Sequence, residues 1–130
     1  MIHFEVFDLG IVGYLQAWEF QKKTHQKVKE GDYPSGLIVC RHYPVITMGR
    51  QAKNENILLS PQELNEKGIQ VFQVERGGDV TYHGPGQLTI YPIFNLHYLK
   101  KDIHWFLRQL EEVVIAMFGE LGVKAQRIAG

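Results

Sequence analysis

The chain has a single cysteine, Cys40, so no disulfide can form within it. A reducing compartment follows, with the cytoplasm as the expected location. It also has no net charge, because fourteen basic residues balance fourteen acidic ones. A protein that grips a phosphate backbone carries a cationic excess, so nucleic acid is not an expected partner. No apolar stretch is longer than Val113 to Phe118, far short of the roughly 20 residues that cross a bilayer, and no membrane association is expected. The N-terminus, Met1-Ile2-His3-Phe4-Glu5, has no basic region leading into an apolar one, so no export signal is read there. The six histidines are scattered and only one cysteine is available to join them, which gives no metal-ligand spacing; neither metal nor cofactor is expected. Internal repeats and low-complexity tracts are missing as well.

What is present is an ordinary globular composition, 45% hydrophobic and 22% charged, which supplies enough apolar surface for a core. At 130 residues the chain suits one core, with no room for a separate cofactor domain, so residues 1–130 are expected to form a single domain. His3 to Leu9 alternates between polar and apolar, which predicts a strand ended by Gly10. From about Val12 to Glu30 the spacing turns helical. Tyr14, Leu15, Trp18, Phe20 and Val28 trace one face, and the basic stretch from Lys22 to Lys29 reads as the solvated one. The Gly31 to Gly36 cluster closes this helix. Leu37 to Cys40 and Val45 to Met48 read as two extended segments, or as one strand interrupted at Pro44. Ser60-Pro61-Gln62-Glu63 carries a helix start: a capping Ser, Pro at the first helical position and Glu three residues after the cap, with Gly68 ending the helix. Ile69 to Glu75 and Leu88 to Leu96 are expected strands on either side of a glycine-rich turn region. Asp102 is the expected cap of a last helix, in which Ile103, Phe106, Leu107, Leu110, Val114 and Leu121 recur at three and four residues. Val123 to Ile128 reads as the start of another strand. The order predicts an α+β domain with a mixed, mostly antiparallel sheet and helices packed on it.

Chemically useful residues concentrate in Arg76-Gly77-Gly78-Asp79-Val80-Thr81-Tyr82-His83-Gly84-Pro85-Gly86-Gln87. Paired glycines let the main chain approach a ligand and expose N–H groups, and Arg76 offers a cation for a carboxylate or phosphate. Thr81, Tyr82 and His83 add hydroxyl and imidazole groups that can orient a bound group or exchange a proton. The bland alternative is a hairpin connection, since Gly-Gly and Gly-Pro-Gly both punctuate β structure. No Lys-Ser or Lys-Thr pair follows the glycines and the dinucleotide-binding spacing is missing, so residue types alone reach no further than a possible anion or acyl-chain site. Cys40 lies in the apolar run Leu37-Ile38-Val39-Cys40, which predicts a buried and inert thiol. His25 and His104 fall in predicted helices, where surface or packing roles are expected.

Arg76-Gly77-Gly78, one variable residue, then Val80-Thr81-Tyr82-His83-Gly84-Pro85-Gly86-Gln87-Leu88, with Tyr91-Pro92 beyond, resembles the signature of the octanoyltransferases. A second stretch, His42-Tyr43-Pro44-Val45-Ile46-Thr47-Met48-Gly49-Arg50-Gln51, is similar to the family's His-x-Pro-Val-x-Thr-x-Gly-Arg. The resemblance implies the catalytic-domain fold shared with biotin and lipoate ligases, with its C-terminal part missing. It also implies that Arg76, Gly77, Gly78, Asp79, Val80, Thr81, Tyr82 and His83 bind the substrate's octanoyl group, with Asp79 at the variable place. The implied reaction moves that group from octanoyl-acyl carrier protein to a lysine of a lipoyl domain, in 2-oxoacid dehydrogenases or the glycine cleavage H protein, in lipoate biosynthesis and protein lipoylation. Family enzymes do so through a thioester on a cysteine in a Pro-Cys-Gly context, with a lysine nearby. A thiolate is the better nucleophile, and two steps replace one difficult attack. Both residues are expected beyond Gly130, so no catalytic residue is assigned here and the isolated chain is expected to be inactive. Two other readings stay open: an ATP-dependent lipoate-protein ligase, and a non-catalytic acyl-binding fragment or one half of a split enzyme.

Overall fold

The computed structural model describes residues 3–128. The chain divides into a larger unit ending at Phe94 and a smaller one beginning at Asn95. In the larger unit the order is β1 (Glu5–Val12), α1 (Tyr14–Glu30), β2 (Ser35–His42), β3 (Val45–Met48), a short 3-10 turn (Asn54–Asn56), α2 (Pro61–Glu66), β4 (Gln70–Gln73), β5 (Val80–His83) and β6 (Thr89–Phe94). The strands form two three-stranded sheets, ordered β1-β2-β6 and β4-β3-β5.

Each sheet is mixed. β1 and β2 run parallel because α1 carries the chain back between them, and β3 and β4 run parallel because α2 does the same. β6 joins β2 antiparallel, and β5 joins β3 antiparallel. The α+β fold is as expected, with a larger parallel share than the spacing of the strands suggested. The break at Pro44 separates two strands of different sheets.

Gly10 does not end β1. The strand continues to Val12 through a register shift between Asp8 and Ile11, where Gly10 takes φ 60° and its N–H donates to Asp8 Oδ1 at 2.9 Å. Glycine at positive φ is how a β-bulge inserts an extra residue without breaking the ladder. The buried ridge of α1 is also narrower than its large apolar residues suggested. Ala17, Thr24 and Val28 are buried, whereas Leu15 is half exposed. Small residues are needed because β2 brings Gly36 against the helix: a Cβ there would sit 2.7 Å from Thr24 Cγ2. Gly31 closes α1 in the left-handed region, its N–H reaching the carbonyls of Lys27 and Val28. Ser60 and Glu63 form the expected reciprocal capping box of α2. The core of the unit holds Ala17, Val28, Ile38, Cys40 and Val45, together with the buried polar residues Thr24, Ser35, His42 and Thr47.

In the smaller unit, a 3-10 turn (Leu96–Tyr98) precedes α3 (Ile103–Glu120). Asp102 caps α3, its carboxylate accepting from Trp105 N at 2.9 Å. The strand expected over Val123 to Ile128 is not formed. That segment has no ladder partner among the described residues; instead Arg127 ion-pairs with Glu111 at 2.9 Å and Glu112 at 2.8 Å and donates to the Arg108 carbonyl. No helix is long and apolar enough to cross a membrane, among the described residues.

Candidate functional site

The glycine-rich region is more than a turn. Val80-Thr81-Tyr82-His83 forms β5, as residue types that favour extended backbone should, and pairs residue for residue with β3: Thr47 opposite Thr81, Val45 opposite His83. This register places the two motifs side by side. Gly49 N donates to Asp79 O at 3.0 Å, Arg50 N to Arg76 O at 2.9 Å and Gln51 N to Gly78 O at 3.1 Å. Segments 49–51 and 76–79 are therefore one hydrogen-bonded frame.

Gly49 is buried at the point of closest approach. A Cβ there would overlap the carbonyl oxygens of Gly77 and Gly78 and lie 2.9 Å from Arg76 Nη1. Gly78 takes φ 84°, which turns the chain within the segment.

Arg76 is held inside the frame. Its Nε donates to Thr47 Oγ1 at 3.2 Å, and Nη1 to Gly77 O at 2.8 Å. Nη2 reaches Thr47 O at 2.9 Å, Thr47 Oγ1 at 3.0 Å, Asp79 O at 2.8 Å and Thr81 Oγ1 at 3.0 Å. Asp79 sits at the variable place of the signature and is closely tied in. Its carboxylate accepts from Val80 N at 2.8 Å, Lys53 N at 3.3 Å and Asn56 Nδ2, which fastens the 3-10 turn to the frame.

β5 sorts the remaining groups by face. Thr81 and His83 lie on the face shared with Thr47 and Val45, and Val80 and Tyr82 on the other. Tyr82 is half exposed and its ring lies over Gly84, where a Cβ would be 2.6 Å from Cζ. His83 Nδ1 is 2.5 Å from Gln87 Oε1. An amide oxygen only accepts, so the ring proton is on Nδ1 and Nε2 carries a lone pair in the neutral ring.

Behind His83 lies a polar cluster that residue types did not single out. The His42 ring, 2% exposed, is 5.8 Å from that of His83 and 5.5 Å from that of Tyr14. Its Nδ1–H donates to Val12 O at 3.2 Å and its Nε2 accepts the Tyr91 hydroxyl at 2.7 Å, a neutral tautomer fixed from both sides. Burial lowers the His42 pKa below its ordinary 6.5, and nearby His83 adds to the effect while the Val12 carbonyl opposes it. Burial pushes the Tyr91 hydroxyl well above the usual tyrosine range, with Cys40 and Tyr14 adding and Gln21 opposing. Cys40, 1% exposed, has its thiol pKa raised by burial and then by Asp8, as an unreactive thiol requires.

The eight residues from Arg76 to His83 thus form one continuous segment. Thr47, Gly49, His42 and Tyr91 lie outside the residues expected to bind the substrate. The signal for them was there, because the first three lie in the second motif and Tyr91 in the Tyr-Pro pair. An open cavity of about 620 Å³ in the smaller unit, lined by Leu107, Leu110, Phe118 and Ile128 among others, includes no residue of either motif.

The family model described as the lipoyl protein ligase A/B catalytic domain matches residues 13–129. Among curated proteins, the octanoyltransferase of Thermoanaerobacter sp. (strain X514) is 46% identical over 124 residues, which is 95% of this chain and 54% of the relative. That of Gloeobacter violaceus is 42% identical, over 93% of this chain and 53% of its own length. Protein Ta0514 of T. acidophilum, solved with lipoic acid bound, superposes with a TM-score of 0.65. It is 18% identical, over 94% of this chain and 49% of the other, which shows a shared fold. The chain therefore spans about half the length of the relatives it matches.

Proposed function

Given that the chain belongs to the lipoyl protein ligase A/B catalytic-domain family, we propose that it is the acyl-binding part of an octanoyltransferase, working in the cytoplasm. Arg76 to His83 line the site for an octanoyl group delivered by octanoyl-acyl carrier protein and destined for a lysine of a lipoyl domain. The observation that carries this reading is the frame itself. Two motifs more than twenty residues apart in sequence are bonded backbone to backbone, and they hold the Gly77-Gly78 stretch next to the face of β5 that carries Thr81 and His83. Paired glycines without side chains let an acyl group approach the main chain there closely.

In the complete reaction a cysteine thiolate attacks the carrier thioester and releases the carrier thiol. The lysine amine then attacks the enzyme thioester and regenerates the cysteine. Cys40 does not take that part, because a buried thiol of raised pKa is a poor nucleophile. The cysteine and lysine belong to the portion of the relatives that this chain does not span. The identities of 46% and 42% to octanoyltransferases favour the transferase over an ATP-dependent ligase.

The test is a titration of the ¹⁵N-labelled chain with octanoyl-pantetheine. Amide shifts confined to the segments around residues 49–51 and 76–83 are expected. Shifts elsewhere, or none, would reject the acyl site, and lipoate adenylation on adding ATP would turn the assignment to the ligase.

A further inference from the structure

The guanidinium of Arg76 and the hydroxyl of Thr47 make an arrangement that an ion-pairing arginine does not need. All of Arg76's described partners are uncharged: the carbonyls of Thr47, Gly77 and Asp79 and the hydroxyls of Thr47 and Thr81. Nε and both terminal nitrogens are engaged. Thr47 is 1% exposed at the centre of the β4-β3-β5 sheet, between Phe72 and Thr81, and it receives three of the six bonds. A guanidinium fork in this geometry fixes the chain that supplies its acceptors. The fixed chain is Gly77-Gly78-Asp79, the stretch that also accepts from Gly49 and Gln51. To turn its fork onto a ligand carboxylate or phosphate, Arg76 would have to give up its bonds to Gly77, Thr47 and Asp79 and leave the Gly77 carbonyl without its described donor.

We propose that Thr47 is a positioning residue. Through Arg76 it sets the conformation of residues 77–79, and Arg76 acts on a ligand through that backbone rather than as a cation. The segment therefore recognises the uncharged end of an acyl group, and its affinity does not depend on a negative charge. This rests on the reading that residues 76–83 bind an octanoyl group, and the test separates the two claims.

Thr47→Val removes the hydroxyl at nearly constant volume, and Thr47→Ser keeps it. Amide hydrogen exchange of the ligand-free chain is the first measurement. In T47V the N–H groups of Gly49 and Gln51 are expected to exchange about tenfold faster, with those of α1 unchanged and T47S close to wild type. Unchanged exchange at Gly49 and Gln51 overturns the positioning role whether or not any ligand binds. If T47V does not fold, Arg76→Lys serves in its place. The second measurement titrates wild type, T47S and R76K with octanoyl-pantetheine, a neutral thioester, and with octanoate. R76K is expected to weaken both probes by the same factor, about tenfold. Selective loss of octanoate would show that the guanidinium meets the carboxylate and would overturn the proposal. Failure of the wild type to bind either probe, with the exchange result intact, would remove the octanoyl reading and leave the Thr47 frame standing.

Discussion

A methyl group at position 49 has nowhere to go. Its closest neighbours would be two backbone carbonyl oxygens and the Arg76 guanidinium, none of them the loose end of a flexible side chain. Gly49→Ala is therefore expected to push the 49–51 and 76–79 segments apart and to cost about 1–3 kcal/mol, read as a lowered urea midpoint. Its effect on octanoyl-pantetheine binding should exceed its effect on stability. His42 makes a prediction of a different kind. Its folded pKa lies below the ordinary 6.5, so at pH values under 6.5 the unfolded chain binds the proton more readily than the folded one. Stability is then expected to fall as pH drops from 7 through 6.5, and to level off once the lowered folded value is passed. Thermal melts between pH 7.5 and 5 should show this slope, and His42→Gln should flatten it. An unchanged slope in H42Q would assign the effect to other groups.

Helix α1 and strand β2 approach as closely as they do because each gives up bulk at the contact. Thr24 faces Gly36, Ala17 is buried on the same helix, and the larger Tyr14, Trp18 and Phe20 flank the ridge half buried. Gly36→Ala should destabilise the larger unit by about 1–3 kcal/mol, because the new Cβ meets the Thr24 methyl. Removing that methyl with Thr24→Ser should recover part of the loss in the double variant, a coupling that a thermodynamic cycle measures directly. Additive effects would mean that the two residues are not in the contact described. The helix interposed between paired strands also decides their direction: α1 and α2 each return the chain to the same end of a sheet, so β1-β2 and β3-β4 are parallel.

Taken whole, the chain carries the bonded frame of residues 49–51 and 76–79 in about half the length of its relatives, and its one cysteine is buried. Incubated with octanoyl-acyl carrier protein, it is expected to gain no covalent octanoyl group by intact mass. An adduct on Cys40 would contradict the assignment. Much of this was legible in advance. The Ser60-Glu63 capping box, the Asp102 cap and the Gly31 stop were read correctly because each depends on residues within one turn of the chain. The motif residues themselves, from His42 to Gln51 and from Arg76 to Leu88, were visible in the same way. Less could be read where the deciding partner is remote. Gly10 has the signature of a strand end, and only the pairing with β2 makes it a bulge. Val80 to His83 sits between glycine clusters, and only its register against β3 makes it a strand. Arg76 has the composition of an anion-binding residue, yet its acceptors include Thr47, 29 residues away in sequence. Local propensity and capping need only neighbours along the chain, so the sequence by itself determined the three helices with their caps and the two motif segments. Which groups satisfy a guanidinium or an imidazole depends on sheet register, and only the tertiary structure decided that Arg76 is turned inward and held by Thr47.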